Sequence, residues 1–212
     1  MRVGELSRRT GVSVPTIKYY VREGLLPAGQ LSSPNQASYD ESHVRRLKLI
    51  RALIDVGGLS VSGVREVVTA VEDPSRPVHK VLGAAHGHVV PEVKAESDAD
   101  LEVAEQEVAA LIARRGWVAY KDHPAYGSLT AALAALRRLG HERFAELNLD
   151  AYAQAAERVA ETDLAYIARE VEREDLVEAA VVGTVVGDAV FTSLRLLAHV
   201  DASARRYGTG AG

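Results

Sequence analysis

Thr16, Lys18, Tyr19 and Arg22 bring a hydroxyl, a phenol and two cations into one short stretch. Between them Ile17, Tyr20 and Val21 recur at i, i+3 and i+4, which makes a single apolar stripe on a helix and leaves the polar side chains on the other faces. Ser13 is a good N-cap for this helix, and Pro15 is tolerated in its first turn. A helix of this kind hides its aliphatic side and is built to lie against phosphates and base edges. Just upstream, Val3 to Thr10 is expected to form a second short helix, closed by Gly11, the residue type suited to the left-handed position after a helix end. Helix, tight glycine turn and exposed polar helix make the helix-turn-helix pattern.

Other residues with chemical capacity give weaker patterns. His79, His86 and His88 stand at i, i+7 and i+9, with His79 and His86 two helical turns apart and no carboxylate at ligand spacing, so no metal site is expected. Gly183-Thr-Val-Val-Gly-Asp188 lacks the lysine and the preceding strand of a phosphate loop. Asp40-x-x-His43 is the nearest carboxylate and histidine pair, and no Glu-x-x-His pair suggests a di-iron bundle. No catalytic residue and no cofactor are expected. With no cysteine in 212 residues, disulfides and thiolate metal or redox chemistry are excluded.

The elements that must carry the polar helix follow from the rest of the chain. Gly24-Leu-Leu-Pro27 and Ala37-Ser-Tyr39 flank a polar stretch rich in Gly, Ser, Pro and Asn, which suits a two-stranded wing with a loose tip. Asp40 caps a helix with apolar Val44, Leu47, Ile50, Leu53 and Ile54 inside and Arg45, Arg46, Lys48 and Arg51 outside. Gly57-Gly58 ends it, and Ser60 opens another helix through Val64, Val67, Val68 and Val71. Two prolines in Glu72 to Pro77 then mark a boundary.

These residues resemble the MerR family of transcription regulators. The resemblance rests on Val3-Gly-Glu-Leu-Ser7, Thr10-Gly-Val-Ser13, Thr16-Ile-Lys-Tyr-Tyr20, Arg22-Glu-Gly-Leu-Leu-Pro27, Tyr39-Asp-Glu-Ser-His-Val-Arg-Arg-Leu47 and Gly58-Leu-Ser-Val61, in the family's order over the first third of the chain. It implies a homodimer on a palindromic operator in double-stranded promoter DNA, with distortion of the duplex so that RNA polymerase can engage. DNA contact is expected at Ser13, Thr16, Lys18, Tyr19, Arg22, Gln36, Tyr39 and Arg45. Two departures stand out. Lys18 replaces the family's usual arginine, so a bidentate base contact becomes a point charge. Asn35-Gln-Ala-Ser38 replaces the aromatic and arginine that commonly precede the wing tyrosine.

The expected fold class is therefore all-α with a small β wing. Residues 1–73 are the winged helix-turn-helix domain, 74–97 a linker with a short helix, 98–116 a dimerisation helix and 117–212 a helical bundle for an effector or a partner. Leu101, Ala104, Val108 and Leu111 step 3, 4, 3, and Ile112 widens the stripe; a short antiparallel coiled coil with a symmetry mate fits this spacing, and so does packing within the helix's own domain. Gly116-Trp117 ends it, and Trp117, Tyr120, His123, Pro124 and Tyr126 are expected in a loop. Helices then run from Ser128 to Leu139, from Glu142 to about Ala168 with a break near Asn148, and from Glu174 to Arg206.

The last helix is apolar on most faces, so it must be buried, either as the body's central helix or as a second dimer surface. This part faintly resembles the ligand-binding domains of TetR-type regulators. Trp117, Tyr120, Tyr126, Tyr152, Tyr166 and Phe191 could enclose a flat organic effector; the alternative is a body that only dimerises or binds a protein partner. Residues 1–72 hold 10 Lys and Arg against 7 Asp and Glu, and residues 73–212 hold 15 against 22, a basic head and an acidic body. No secretory segment opens the chain, and its most apolar run, Ala179 to Gly187, is shorter than a membrane span, so a cytoplasmic protein with no membrane partner is expected.

Overall fold

A computed structural model describes residues 1–33, 36–73, 75, 83, 87, 98–167 and 173–208. Apart from positions 75, 83 and 87, the linker expected over 74–97, with its short helix and its three histidines, lies outside the described residues. The described chain is mostly helical with one two-stranded sheet, which bears out the expected fold class. It divides into two compact units, Met1–Arg76 with Val181–Gly212, and Pro77–Ala180. The second half of the last helix thus groups with the head, where sequence reasoning had put it in the body.

In the head, α1 (Val3–Thr10) ends on Gly11, whose φ of 72° is the left-handed value a side chain would strain, and Gly11 N–H donates to the Ser7 carbonyl. α2 (Val14–Arg22) follows at once. Leu25 and Leu26 are not wing residues: both are fully buried, and their N–H groups donate to the Tyr20 carbonyl, so the chain plugs the core before the wing begins. β1 (Gln30–Ser33) and β2 (Gln36–Ser38) pair antiparallel, Gln30 with Ser38 and Leu31 with Ala37, with an irregularity between Leu31 and Ser33. The Tyr39 N–H donates to the Met1 carbonyl at 2.8 Å and ties the wing's base to the start of α1.

α3 (Glu41–Asp55) and α4 (Val61–Glu72) close the head. Asp40 accepts from the Ser42 and His43 N–H groups, and the His43 ring turns back on Asp40, its Nδ1 3.3 Å from the backbone nitrogen and 2.7 Å from the carboxylate, a reciprocal capping box that gives the Asp40-His43 pair a structural use. Ser60 caps α4 through the Gly63 N–H at 3.1 Å. Leu6, Ile17, Leu47, Ile50, Leu53, Val64 and Val67 are completely enclosed, and they fix the angle at which α2 leaves the core.

In the other unit, α5 (Ala99–Arg115) is capped by Asp98, which accepts the Leu101 N–H at 2.8 Å. α6 (Pro124–Arg138) begins earlier than its periodicity suggested: His123 caps it through the Ala125 N–H, Pro124 takes the first turn, and Tyr126 lies within the helix and not in a loop. α6 fills the apolar stripe of α5. Ala104 and Val108 pack with Leu133 and Ala134, Leu101 and Ile112 lean on that cluster, and Leu111 is enclosed as well. The seam read as a place for a symmetry mate is therefore occupied within the chain, because spacing shows that a stripe must be covered but not by what.

α7 (Arg143–Ile167) is unbroken at Asn148, whose side-chain amide bonds back to the Phe144 carbonyl and leaves the backbone ladder intact. α8 (Arg173–Tyr207) is the longest element. Its portion Glu178–Tyr207 is long and apolar enough, by length and composition, to cross a bilayer. The apolar run is thus longer than the stretch read over Ala179 to Gly187, because apolar residues continue beyond Asp188; a helix of a soluble protein can have the same length and composition.

Candidate nucleic-acid interface

α2 is held from both ends. At its start Ser13 Oγ accepts the Thr16 N–H at 3.2 Å and meets Thr16 Oγ1 at 2.7 Å, so both hydroxyls are engaged in shaping the first turn. At its end Arg65, from α4, donates to the Glu23 carbonyl at 2.8 Å and to the Glu23 carboxylate at 2.7 Å. From α3, Arg46 donates to the Leu25 carbonyl at 3.0 Å and reaches Glu72. Arg46 was read as an outward cation; its side chain is 13% exposed and joins α3 to α4 and to the segment after α2. Arg65 and Arg46 are positioning residues that sequence reasoning did not find. A cation in a helical pattern carries no mark of whether it turns to solvent or to a neighbouring carbonyl.

With Ile17 and Tyr20 buried, Lys18 and Arg22 stand exposed on the other side of α2, Tyr19 is half-buried, and Ser13 is exposed at the cap. The Arg22 guanidinium lies over the Tyr19 ring, 5.2 Å from its centroid, and is 3.7 Å from the Glu23 carboxylate. At 72% exposure Arg22 is available to a partner, and the ring beneath it limits its rotamers. On the wing, Gln36 is exposed, while Tyr39 is half-buried with its ring edge-on to His43 at 5.1 Å. Arg45 is exposed on α3. Gln36 lines an open groove together with Arg2, which precedes α1, and Glu5 and Arg8 of α1, so the wing and the start of the chain present two cations, a carboxylate and an amide on one side of the head.

Charge within the head is locally organised. Arg9 forms a two-pronged ion pair with Glu41, which joins α1 to α3 and holds the Glu41 carboxyl below its ordinary value. Asp40 lies well below the usual carboxylate range because the Ser42 hydroxyl and the His43 ring bond to its charged form.

Of the residues proposed for an effector, Phe191 belongs to the first unit and the other five to the second. The Trp117 indole N–H donates to Glu157 at 2.8 Å beside Arg115, Tyr126 packs in the α5–α6 core with its hydroxyl near the Glu105 carbonyl, and Tyr152 meets Phe144 edge-on at 5.8 Å. Tyr120 and Tyr166 are exposed, and Phe191 is 39% exposed. Neither the groove in the head nor a concavity around His199 to Gly208 includes any of the six. Among the described residues no group of three or more His, Asp or Glu could hold a metal ion.

Residues 1–71 match the model of the MerR HTH family regulatory protein. The first third of the chain is a MerR-type helix-turn-helix domain. The match runs from α1 to the last turn of α4. Curated relatives include the HTH-type transcriptional regulator ZntR homolog of Haemophilus influenzae, 29% identical over 84 residues, 39% of this chain and 62% of that one. Another is the heavy metal-dependent transcription regulator 2 of Rhizobium meliloti, 30% identical over 89 residues, 42% of this chain and 60% of that one. The chain thus spans about three fifths of these MerR relatives' length. A solved structure covers all of it: SCO5550 of Streptomyces coelicolor A3(2), a candidate transcriptional regulator, aligns over 100% of both chains with 37% identity and a TM-score of 0.69.

Proposed function

We propose that this chain is a sequence-specific regulator of transcription that binds double-stranded promoter DNA as a homodimer on a palindromic operator. The observation that carries the reading is the polar side of α2, where Lys18 and Arg22 stand exposed above the buried Ile17 and Tyr20 while Arg65 fixes the helix's far end. Lys18 and Arg22 contact phosphate or base edges, Thr16 and Tyr19 orient them, and Ser13, Gln36, Tyr39 and Arg45 complete the footprint on helix, wing and α3. The chain is cytoplasmic, engages RNA polymerase at the promoter and catalyses no reaction. Because the stripe of α5 is filled by α6, the second copy meets another surface.

Selection of a binding site from random DNA, followed by anisotropy with the selected duplex, tests this. Arg22→Ala should fold normally and lose about 1 to 3 kcal/mol of binding; a folded variant that binds as well as the parent would remove α2 from the interface.

A second reading adds a small organic effector in the body. It rests on Trp117, half-buried with its N–H on Glu157 and Arg115 alongside, an aromatic face beside paired charge. A compound that both shifts Trp117 emission and changes operator affinity would support it. A broad screen with no such compound would leave the body as an assembly module.

A further inference from the structure

One residue at the end of α2 carries a charge of the wrong sign for its place. Glu23 closes the helix at its C-terminal end, directly after Arg22. A carboxylate there meets the negative end of the helix dipole, and it stands close to any phosphate that Arg22 contacts. Left alone, it would cost both helix stability and affinity for a polyanion. It is not left alone.

Two cations address its two oxygens. Arg65 Nη2, from α4, donates to Oε2 at 2.7 Å while Arg65 Nε donates to the Glu23 carbonyl at 2.8 Å, so one guanidinium grips side chain and backbone together. Arg22 Nε stands 3.7 Å from Oε1. Consecutive helical residues point about 100° apart and ordinarily do not face each other, so the contact depends on Arg65 holding the carboxylate in place. On its other side the Arg22 guanidinium lies over the Tyr19 ring, 5.2 Å from the centroid, and that ring leans on buried Tyr20 at 5.9 Å. Arg22 is thus set between a ring braced on the core and a carboxylate braced on α4, while 72% of its side chain stays exposed. At 3.7 Å the carboxylate steers the guanidinium without forming a hydrogen bond to it. When Arg22 turns to a phosphate or a base, Arg65 still neutralises Glu23.

We propose that Glu23 is a positioning residue for DNA recognition: held by Arg65, it confines Arg22 to one orientation over Tyr19 and, through its charge, disfavours phosphates that arrive in any other register. It lowers affinity for arbitrary duplex more than for the operator, and so widens the discrimination between them. This rests on the reading of α2 as the DNA-contacting helix. A repulsive group beside an attractive one is a general source of specificity. An oriented guanidinium suits the directional contact to a base edge, whereas a phosphate contact carries no sequence information.

The probes are the selected operator duplex and a scrambled duplex of the same composition, each titrated by anisotropy against the full chain over a salt series. Glu23→Gln keeps the shape of the side chain and an acceptor for Arg65, and removes the charge. It should bind the scrambled duplex about 2- to 5-fold more tightly, the size of effect expected of an exposed charge pair. Operator binding should gain less, so the ratio of the two affinities narrows. In an Arg22→Ala chain the same substitution should leave the ratio as it is, because no guanidinium remains to be oriented. A carboxylate that only braced α2 on α4 would, once replaced, lower affinity for both duplexes by one factor and lower the unfolding midpoint. That result, or a ratio equal to the parent's, overturns the role of Glu23 while Arg22→Ala keeps its loss of operator affinity. If Arg22→Ala is folded by circular dichroism and binds operator as the parent does, the reading of α2 falls and this inference falls with it.

Discussion

In the head, the apolar residues of four short helices close on one another: Leu6, Ile17, Leu47 and Val64 have no exposed surface, and cations from α3 and α4 turn inward to pin the carbonyls at the end of α2. In α8 a single helix of 35 residues leaves most of its large apolar side chains in water beyond Val185. The first region is complete as a folded object, and the exposed residues read as DNA-contacting are polar: Lys18, Arg22, Gln36 and Arg45. The second is incomplete, and what it leaves exposed is apolar. A surface that offers cations on a rigid frame is suited to a polyanion, whereas one that offers aliphatic side chains is suited to an apolar partner.

Equal truncations should sharpen that contrast most. Leu47→Ala, in the head, should lower unfolding free energy by about 2 to 5 kcal/mol, as large-to-small changes in closed cores do. Leu197→Ala, measured at a dilution where chains are separate, should change it by less than about 0.5 kcal/mol. Denaturant titration of both variants checks this; comparable losses would mean that α8 is buried in the single chain.

A neighbouring pair separates binding from folding. Arg46→Ala should cost about 1.5 to 3 kcal/mol of stability, because it leaves the Leu25 carbonyl and Glu72 without their charged donor. Arg45→Ala should leave stability within about 0.5 kcal/mol and weaken operator binding. If Arg45 proved to be the stabilising one of the two, the division between inward and outward cations on α3 would be wrong.

The legibility of the chain follows the same division. Ser13, Asp40 and Ser60 cap helices where the sequence placed them, and Gly11 ends α1, because caps and turns are decided by a few adjacent residues. The polar face of α2 was legible for the same reason. Leu25 and Leu26 were misread as wing, since a short apolar pair before a proline looks the same whether it pairs in a sheet or plugs a core. The cover of α5 was not legible either: a 3, 4 stripe accepts α6 or a symmetry mate equally well, and long-range packing decides. Arg46 and Arg65 depend on carbonyls 21 and 42 residues away.

The smallest expected effect is on acid stability. Asp40 is depressed in the folded head by the Ser42 hydroxyl and His43, and Asp98 by the Leu101 N–H and Arg138. A carboxyl with a folded value below its unfolded one adds stability that is fully present above the unfolded value, near 3.9, and is lost as pH falls toward the folded value. Helical circular dichroism followed from pH 6 to pH 2 should therefore hold to about pH 4 and then fall. Asp40→Asn, which keeps a capping side chain but cannot titrate, should flatten the head's share of that fall; an unchanged acid limb would place the titrating group elsewhere.

The most direct measurement is operator affinity of the full chain across a salt series, set beside the Lys18→Ala, Arg22→Ala double variant. If α2 carries the DNA contact, the double variant should bind more weakly, and the slope of log affinity against log salt should become shallower by roughly one for each phosphate contact removed. A folded double variant with the parent's affinity and the parent's slope would contradict the assignment of α2 as the DNA-contacting helix.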